Sequence, residues 1–240
     1  MNIKKYTKPA RKLLKLRYCG AVIVAAGNAS RMGGIDKVMA TLDGEPMIVK
    51  TVRAFQECPA IKEIVVVTRE DLIRPIMGLC KDFGKVIAVV VGGADRAESV
   101  HNGLNALSGK VQLAAVQDGA RPLVTWELID RVVRAANTYG AAAPGIPVKD
   151  TTKIVVGGMV ESTPDRRALQ AIQTPQVFDF DILRGALKKA REENAPITDD
   201  CSAVERIGMC VRIVEGDERN IKVTTPMDLK LAQMLWEEMQ

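Results

Sequence analysis

Six short runs rich in Val, Ile, Ala and Leu recur along the chain, at residues 21–25, 63–68, 86–91, 113–117, 141–146 and 211–214, with amphipathic stretches between them. This alternation constrains the fold more than any other feature. Strands that are apolar on both sides need cover on both faces, and helix-length connections supply it in a parallel sheet. The spacing predicts helices over 47–57, 71–81, 97–107, 125–139, 179–192, 199–207 and 226–238. Start signals stand at Thr125, Asp179, Thr198 and the pair Thr225-Pro226. The expected fold class is α/β, a doubly wound and mostly parallel sheet, and the Met and Leu stripe of 227–239 is expected to pack into its core. The segment 147–166 breaks the pattern. Two β-prone runs, 151–156 and 159–163, flank Gly157-Gly158, which is a hairpin signal. A lone two-stranded hairpin is marginal in water, so this β-hairpin arm is predicted to pack on another body, a second copy of the chain being the natural candidate.

The 240 residues suffice for one such domain. The net charge of +5 suggests nucleic-acid binding until it is located. Residues 1–18 hold seven of the 34 Lys and Arg and none of the 29 Asp and Glu, which leaves 27 bases against 29 acids from Cys19 onward. The chain therefore reads as a basic N-terminal extension, 1–18, followed by a domain, 19–240, that is slightly acidic and gives no reason to expect a nucleic-acid partner. No apolar run approaches the roughly 18 residues of a membrane span, and no secretory signal follows the early charges. Five scattered cysteines, odd in number and without C-x-x-C spacing, suit reduced thiols and a cytoplasmic location. One histidine, His101, excludes chemistry that needs two imidazoles; it is expected on a helix surface.

The first strand runs into Ala25-Ala26-Gly27-Asn28-Ala29-Ser30-Arg31-Met32-Gly33-Gly34, with Lys37 shortly beyond. A turn of small residues after the first strand of an α/β sheet lets backbone N–H groups approach phosphate oxygens. Neither G-x-x-x-x-G-K-[ST] nor G-x-G-x-x-G is present, which argues against a P-loop and against a nicotinamide oxidoreductase. Arg31 and Lys37 are placed to neutralise a triphosphate, or else are solvated cations beyond a tight turn.

The turn with Arg31 and Lys37 resembles the signature of sugar-phosphate nucleotidyltransferases. Further segments follow in order: Gly92 to Val100, Asp118-Gly119-Ala120-Arg121-Pro122, Val148-Lys149-Asp150-Thr151, Thr163-Pro164-Asp165-Arg166, Gln173-Thr174-Pro175-Gln176, Ile197-Thr198-Asp199-Asp200 and Asn220-Ile221-Lys222-Val223-Thr224. Together they resemble the 2-C-methyl-D-erythritol 4-phosphate cytidylyltransferase family over about residues 20–238. Two positions depart from its pattern. Ala29 stands where a second loop glycine is usual, and Gly119 stands where alanine is usual.

The resemblance implies a Rossmann-like nucleotidyltransferase that moves CMP from CTP to 2-C-methyl-D-erythritol 4-phosphate with Mg²⁺, as a homodimer. Position by position it implies that Ala25, Ala26, Gly27, Gly92, Asp95 and Ser99 hold the cytidine and ribose. Arg31, Lys37 and Lys222 would face the phosphates. Asp118 would sit by the ribose, the acceptor and the magnesium ion. Arg121, Thr174, Thr198 and Lys222 would line the acceptor pocket, and Thr151 and Arg166, on the arm, would reach across the dimer to the acceptor phosphate. Plainer readings stand beside these. Asp118-Gly119 is a common turn dipeptide; Arg96, Glu98 and Arg121 suit structural ion pairs; Cys201 suits a partly buried inert thiol. The rival functions are transfer to ribitol 5-phosphate and a CTP-binding regulator without catalysis.

Overall fold

The computed structural model describes residues 15–27 and 38–240. Along these, the elements are β1 (Cys19–Ala25), a small hairpin of β2 (Thr41–Leu42) and β3 (Glu45–Pro46), α1 (Met47–Glu57), β4 (Ile61–Thr68), α2 (Ile73–Leu79), β5 (Val86–Val91), α3 (Arg96–Ala106), β6 (Leu113–Asp118), α4 (Trp126–Tyr139) and β7 (Ala141–Pro147). Then come β8 (Ile154–Val156), β9 (Met159–Ser162), β10 (Gln170–Ile172), β11 (Gln176–Asp179), α5 (Phe180–Glu192), α6 (Asp200–Arg206), β12 (Arg212–Glu215) and α7 (Pro226–Glu238).

All six expected strands and all seven expected helices occur, each end within two residues of its sequence bound. They build an eight-stranded mixed sheet in the order β10-β7-β11-β6-β1-β4-β5, with β12 beside β7. The half formed by β6, β1, β4 and β5 is parallel throughout. The other half departs from the expectation, because β11 runs antiparallel between β6 and β7. Ala142 pairs with both Val177 and Arg212, and Gly145 with both Ile172 and Glu215, so β10 and β11 share one edge of β7 while β12 takes the other.

Side-chain alternation divides the strands between two cores. Ala21 and Ile23 of β1 and Leu113 and Ala115 of β6 face the layer of α1, α2 and α4. Val22, Ala114 and Val116 face the layer of α3, α5 and α6. A smaller cluster joins Leu42, Met47, Leu123 and Val223 to Ala232 of α7. Here Trp236 donates its indole N–H to Asp43 (2.8 Å), and the Lys50 ammonium sits 3.6 Å above its ring centre. Two expectations fail in detail. Only one side of the α7 stripe is core: Ala232, Leu235 and Trp236 face the cluster, whereas Met227, Leu231 and Met234 are exposed. Likewise, α6 is capped by Asp199, in a reciprocal capping box with Ser202, and not by Thr198.

The arm forms as a separate two-stranded sheet, with Val155 opposite Val160 and Val156 opposite Met159. Gly157 and Gly158 turn it with φ of 58° and 82°, the left-handed pair that a two-residue hairpin turn requires. Residues 151–163 are all exposed, including five large apolar side chains.

Candidate active site

Ala25, Thr68, Val91 and Asp118 end four neighbouring parallel strands on the same side of the sheet, where open α/β sheets present their ligand crevice. A cavity of about 410 Å³ opens there. Its wall on one side is the backbone turn Ala25-Ala26-Gly27, and on the other the Gly92–Asp95 loop that leads into α3. The two walls approach closely. A Cβ on Gly92 would lie 2.4 Å from Cβ of Ala26 and 2.9 Å from Oγ of Ser99, so nothing larger than glycine fits without a shift. Ser99 in turn accepts from the Gly93 N–H (3.0 Å) and donates to the Asp95 carbonyl (2.8 Å), while Asp95 caps α3 through the Glu98 N–H.

The floor carries the charges. Asp118 ends β6, and its backbone N–H donates to Oγ1 of Thr174 (3.1 Å). Lys222 Nζ lies 2.8 Å from its Oδ2, Arg96 Nε 3.4 Å from its Oδ1, and Arg121 Nε 3.8 Å from Oδ2. Burial alone would raise the Asp118 pKa, but the three cations outweigh it and hold the carboxyl below its ordinary range. Arg121 is buried deeply enough that its own pKa falls despite Asp118. Lys222 remains about two-fifths exposed to the cavity. Its segment is pinned from behind: Arg121 Nη1 donates to the Asn220 carbonyl (2.6 Å), the Asn220 amide donates to the Thr174 carbonyl (2.9 Å), and the Val223 N–H donates to the Ala120 carbonyl (2.8 Å).

A second carboxylate stands behind Arg96. Arg96 Nη2 is 2.8 Å from Oδ2 of Asp200, whose side chain is 1% exposed. Neither Asp200 oxygen receives a well-directed hydrogen bond. Burial therefore raises the Asp200 pKa, opposed chiefly by Arg96. The sequence singles out neither the Arg96–Asp200 pair nor the anchor role of Asn220. Asp200 is visible there only as the last residue of the segment Ile197-Thr198-Asp199-Asp200, with no role assigned to it.

Of the residues the sequence proposes, Ala25, Ala26, Gly27, Gly92, Asp95, Ser99, Asp118 and Lys222 line this cavity together, and Arg121 and Thr174 bond to its floor. Thr198 lines a smaller neighbouring cavity of about 240 Å³ with Asp95 and Arg96. Thr151 is exposed at the base of the arm, and Arg166 donates to the Lys149 carbonyl (2.7 Å); neither lines the cavity of its own chain. Arg31, Lys37 and Ala29 lie outside the described residues. At Gly119, a Cβ would meet the Val24 carbonyl oxygen at 3.1 Å and Cβ of Ala25 at 3.2 Å, so the usual alanine needs only slight give. Cys201 is buried, and burial raises its thiol pKa far above the range of a reactive thiolate.

No group of three or more His, Cys, Asp or Glu among the described residues could enclose a metal ion. Mg²⁺ commonly takes only one or two protein carboxylates and completes its octahedron with phosphates and water. Asp118, which lines the cavity together with Asp95 beside a turn suited to phosphates, fits that pattern.

A mostly parallel mixed sheet of this order, with a small-residue turn after β1 and an ion-paired aspartate ending β6, defines an α/β nucleotidyltransferase. The family model described as IspD, 2-C-methyl-D-erythritol 4-phosphate cytidylyltransferase, matches residues 19–238. Proteins of that name from Caldanaerobacter subterraneus subsp. tengcongensis and Symbiobacterium thermophilum are 44% and 43% identical, covering 89% and 90% of this chain and 96% and 92% of theirs. The crystal structure of the Anaerococcus prevotii 4-diphosphocytidyl-2C-methyl-D-erythritol synthase superposes with a TM-score of 0.85 at 29% identity, covering 92% of this chain and 96% of that one. The corresponding enzyme of Thermus thermophilus gives 0.75 at 33% identity, covering 90% and 98%. The chain belongs to the 2-C-methyl-D-erythritol 4-phosphate cytidylyltransferase family.

Proposed function

We propose that this chain transfers the cytidylyl group of CTP to 2-C-methyl-D-erythritol 4-phosphate, releasing pyrophosphate. The observation that carries the reading is the Asp118–Lys222 contact beside the turn Ala25-Ala26-Gly27, at the end of the sheet where the nucleotide belongs. An oxygen of the acceptor phosphate attacks the α-phosphorus of CTP in line. The new P–O bond forms as the bond to the β-phosphate bridging oxygen breaks, and that oxygen leaves with pyrophosphate. The attacking phosphate monoester has a second pKa of about 6 and is already ionised at pH 7, so no general base is required. This agrees with a cavity whose described lining holds no histidine.

The obstacle is repulsion between anions. One unit-charge pair at about 4 Å costs about 4 kcal/mol at an effective dielectric of 20, so preorganised cations carry the catalysis. Lys222 faces the phosphates, with Arg31 and Lys37 from the turn beyond β1. Arg121, Thr174 and Thr198 line the acceptor side. The Gly92 loop, Asp95 and Ser99 hold the base and ribose. Asp118 holds Mg²⁺, which when bound supplies positive charge against the triphosphate.

Thr151 and Arg166 complete the acceptor site in a homodimer, each arm serving the partner's cavity. This is supported by their position away from the cavity of their own chain and by the bare apolar strands Ile154–Val156 and Met159–Ser162. Five unpaired cysteines, four of them buried, support a cytoplasmic location. No helix among the described residues is long and apolar enough to cross a membrane.

The test is pyrophosphate release from CTP with Mg²⁺, comparing methylerythritol phosphate with ribitol 5-phosphate. Release with the first alone is expected. Release with ribitol phosphate alone reassigns the acceptor, and no release with either removes the catalytic reading.

A further inference from the structure

We infer that Asp200 is a positioning residue for Asp118, acting through Arg96. The inference rests on the cytidylyl-transfer reading for its consequence, but on the structure for its geometry. Asp118 has to keep its carboxylate aimed into the cavity while three cations compete for it. Lys222 and Arg121 approach the same oxygen, Oδ2, whereas Arg96 alone is near Oδ1. Arg96 is therefore the group that fixes the second oxygen and with it the plane of the carboxylate.

An arginine side chain has four rotatable bonds and does not stay in one place for a single contact at 3.4 Å. What holds it is Asp200, 2.8 Å from a second guanidinium nitrogen, Nη2, and fully buried. The guanidinium is a flat, rigid fork whose separate nitrogens address two carboxylates in fixed directions, whereas an ammonium is a point charge with rotatable donors. Asp200 is itself immobilised. Its neighbours on both sides bond to one side chain on β11: the Gln176 amide donates to Asp199 Oδ2 (2.8 Å), and Gln176 Oε1 accepts from the Cys201 N–H (3.1 Å). The chain of contacts thus runs from the sheet through Gln176 to the first turn of α6, to Asp200, to Arg96 and to Asp118. A fully buried carboxylate without a directed hydrogen bond is costly to a core, and its placement serves the cation that touches the site. Groups that orient a ligating side chain in this way characteristically change metal affinity or activity 10–100-fold when removed.

The test compares wild type, Asp200→Asn, Arg96→Lys and the double variant, each with its folded fraction fixed by thermal melting. Calorimetry reads the Mg²⁺ concentration that half-saturates CTP binding, and steady-state assay reads kcat per folded enzyme. Asp200→Asn is expected to raise the Mg²⁺ requirement about tenfold and to lower kcat by a similar factor. Arg96→Lys, which keeps the charge and loses the fork, is expected to do the same, and the double variant to be no worse than Arg96→Lys alone. Normal values in folded Asp200→Asn, or additive losses in the double variant, overturn the inference by showing a purely structural acid. If Asp200→Asn does not fold, Arg96→Lys decides: wild-type behaviour there overturns the inference, and a tenfold loss supports it. If wild type itself releases no pyrophosphate, the functional reading fails. The Mg²⁺ half-saturation still judges the geometry, with a tenfold rise supporting it and no rise overturning it.

Discussion

The crevice end of the sheet and the β-arm are built on opposite plans. At the crevice, every charged group of the floor is answered within the same chain: Asp118 by Lys222, Arg96 and Arg121, and Arg96 by Asp200. On the arm, Ile154, Val155, Val156, Met159 and Val160 are each between 46% and 75% exposed, and its two strands pair only with each other. On the proposed reading, one chain supplies the nucleotide's crevice, whereas the arm, with Thr151 and Arg166 at its base, serves a partner copy. If that division holds, mutations at the crevice should damage chemistry and nucleotide handling, and mutations in the arm should damage the acceptor and the assembly.

The largest expected effect breaks the crevice side. Lys222→Ala removes the most exposed of the three described cations around Asp118 and leaves Asp118 paired with Arg96 and Arg121. Turnover should fall about 10²–10³-fold, the loss seen when one preorganised electrostatic group is removed, with the melting temperature little changed. Steady-state kinetics checks this, and a fall of less than about fivefold would take Lys222 out of the chemistry.

The arm comes second. Deleting residues 152–162 removes only exposed chain. Light scattering should show the mass falling from dimer to monomer, and the acceptor KM should rise about tenfold or more while CTP affinity stays within threefold. Unchanged mass together with unchanged acceptor KM would collapse the contrast, because the arm would then serve neither role.

A pH profile separates the acceptor from the enzyme. The folded pKa of Asp118 is lowered, so the stability its ion pairs contribute is complete above the unfolded value of about 3.9 and is lost only as pH falls through the still lower folded value. Asp118 therefore stays ionised between pH 5 and 8. The acid limb of kcat/KM for the acceptor should belong to the substrate phosphate, with a midpoint near pH 6 and a tenfold fall per unit below it. The same limb should persist in Lys222→Ala. A midpoint that moves with that substitution would assign the ionisation to the protein.

How far the sequence foretells this contrast depends on the distance over which each feature is set. The parallel half of the sheet, the helices and the Gly157-Gly158 arm arise from local periodicity and turn chemistry, and all are legible. β10 and β11 are not. They are three and four residues long, lie either side of Thr174-Pro175, and become strands only by pairing with β7 and β6. Asp118, Lys222 and Ser99 are recognisable as motif residues, but the 2.8 Å contact between Asp118 and Lys222 joins positions 104 residues apart. The Arg96–Asp200 pair, likewise 104 residues apart, carries no local signal, since a buried ion pair and a solvated one look alike in sequence. On α7, the 3.6-residue repeat gives the apolar stripe but cannot say that the side bearing Met227 and Met234 lies exposed among the described residues.

The smallest effects test how tightly the crevice walls are set, and two glycines make the measurement. Gly92→Ala places a methyl 2.4 Å from Cβ of Ala26 and 2.9 Å from Oγ of Ser99, and the Ala26 methyl, fixed to its own backbone, has no flexible end to yield. Overpacking of this kind costs about 1–3 kcal/mol, and here it should appear as a CTP affinity weakened about tenfold, because the wall that shifts is the one that binds the nucleotide. Gly119→Ala restores the alanine usual in the family. Its methyl would meet the Val24 carbonyl oxygen at 3.1 Å and Cδ1 of Ile48 and Cβ of Ala25 at 3.2 Å; Ile48 can rotate away, and the other two contacts need to give only a few tenths of an ångström. CTP affinity and turnover should therefore stay within about threefold of wild type, measured by calorimetry and steady-state assay. A loss as large as that of Gly92→Ala would mean that the turn after Asp118 is as rigid as the loop before α3. In that case Gly119 is a fitted position of this chain, matched to the packing of Ala25 and Ile48, and the crevice is set from both of its walls and not from one.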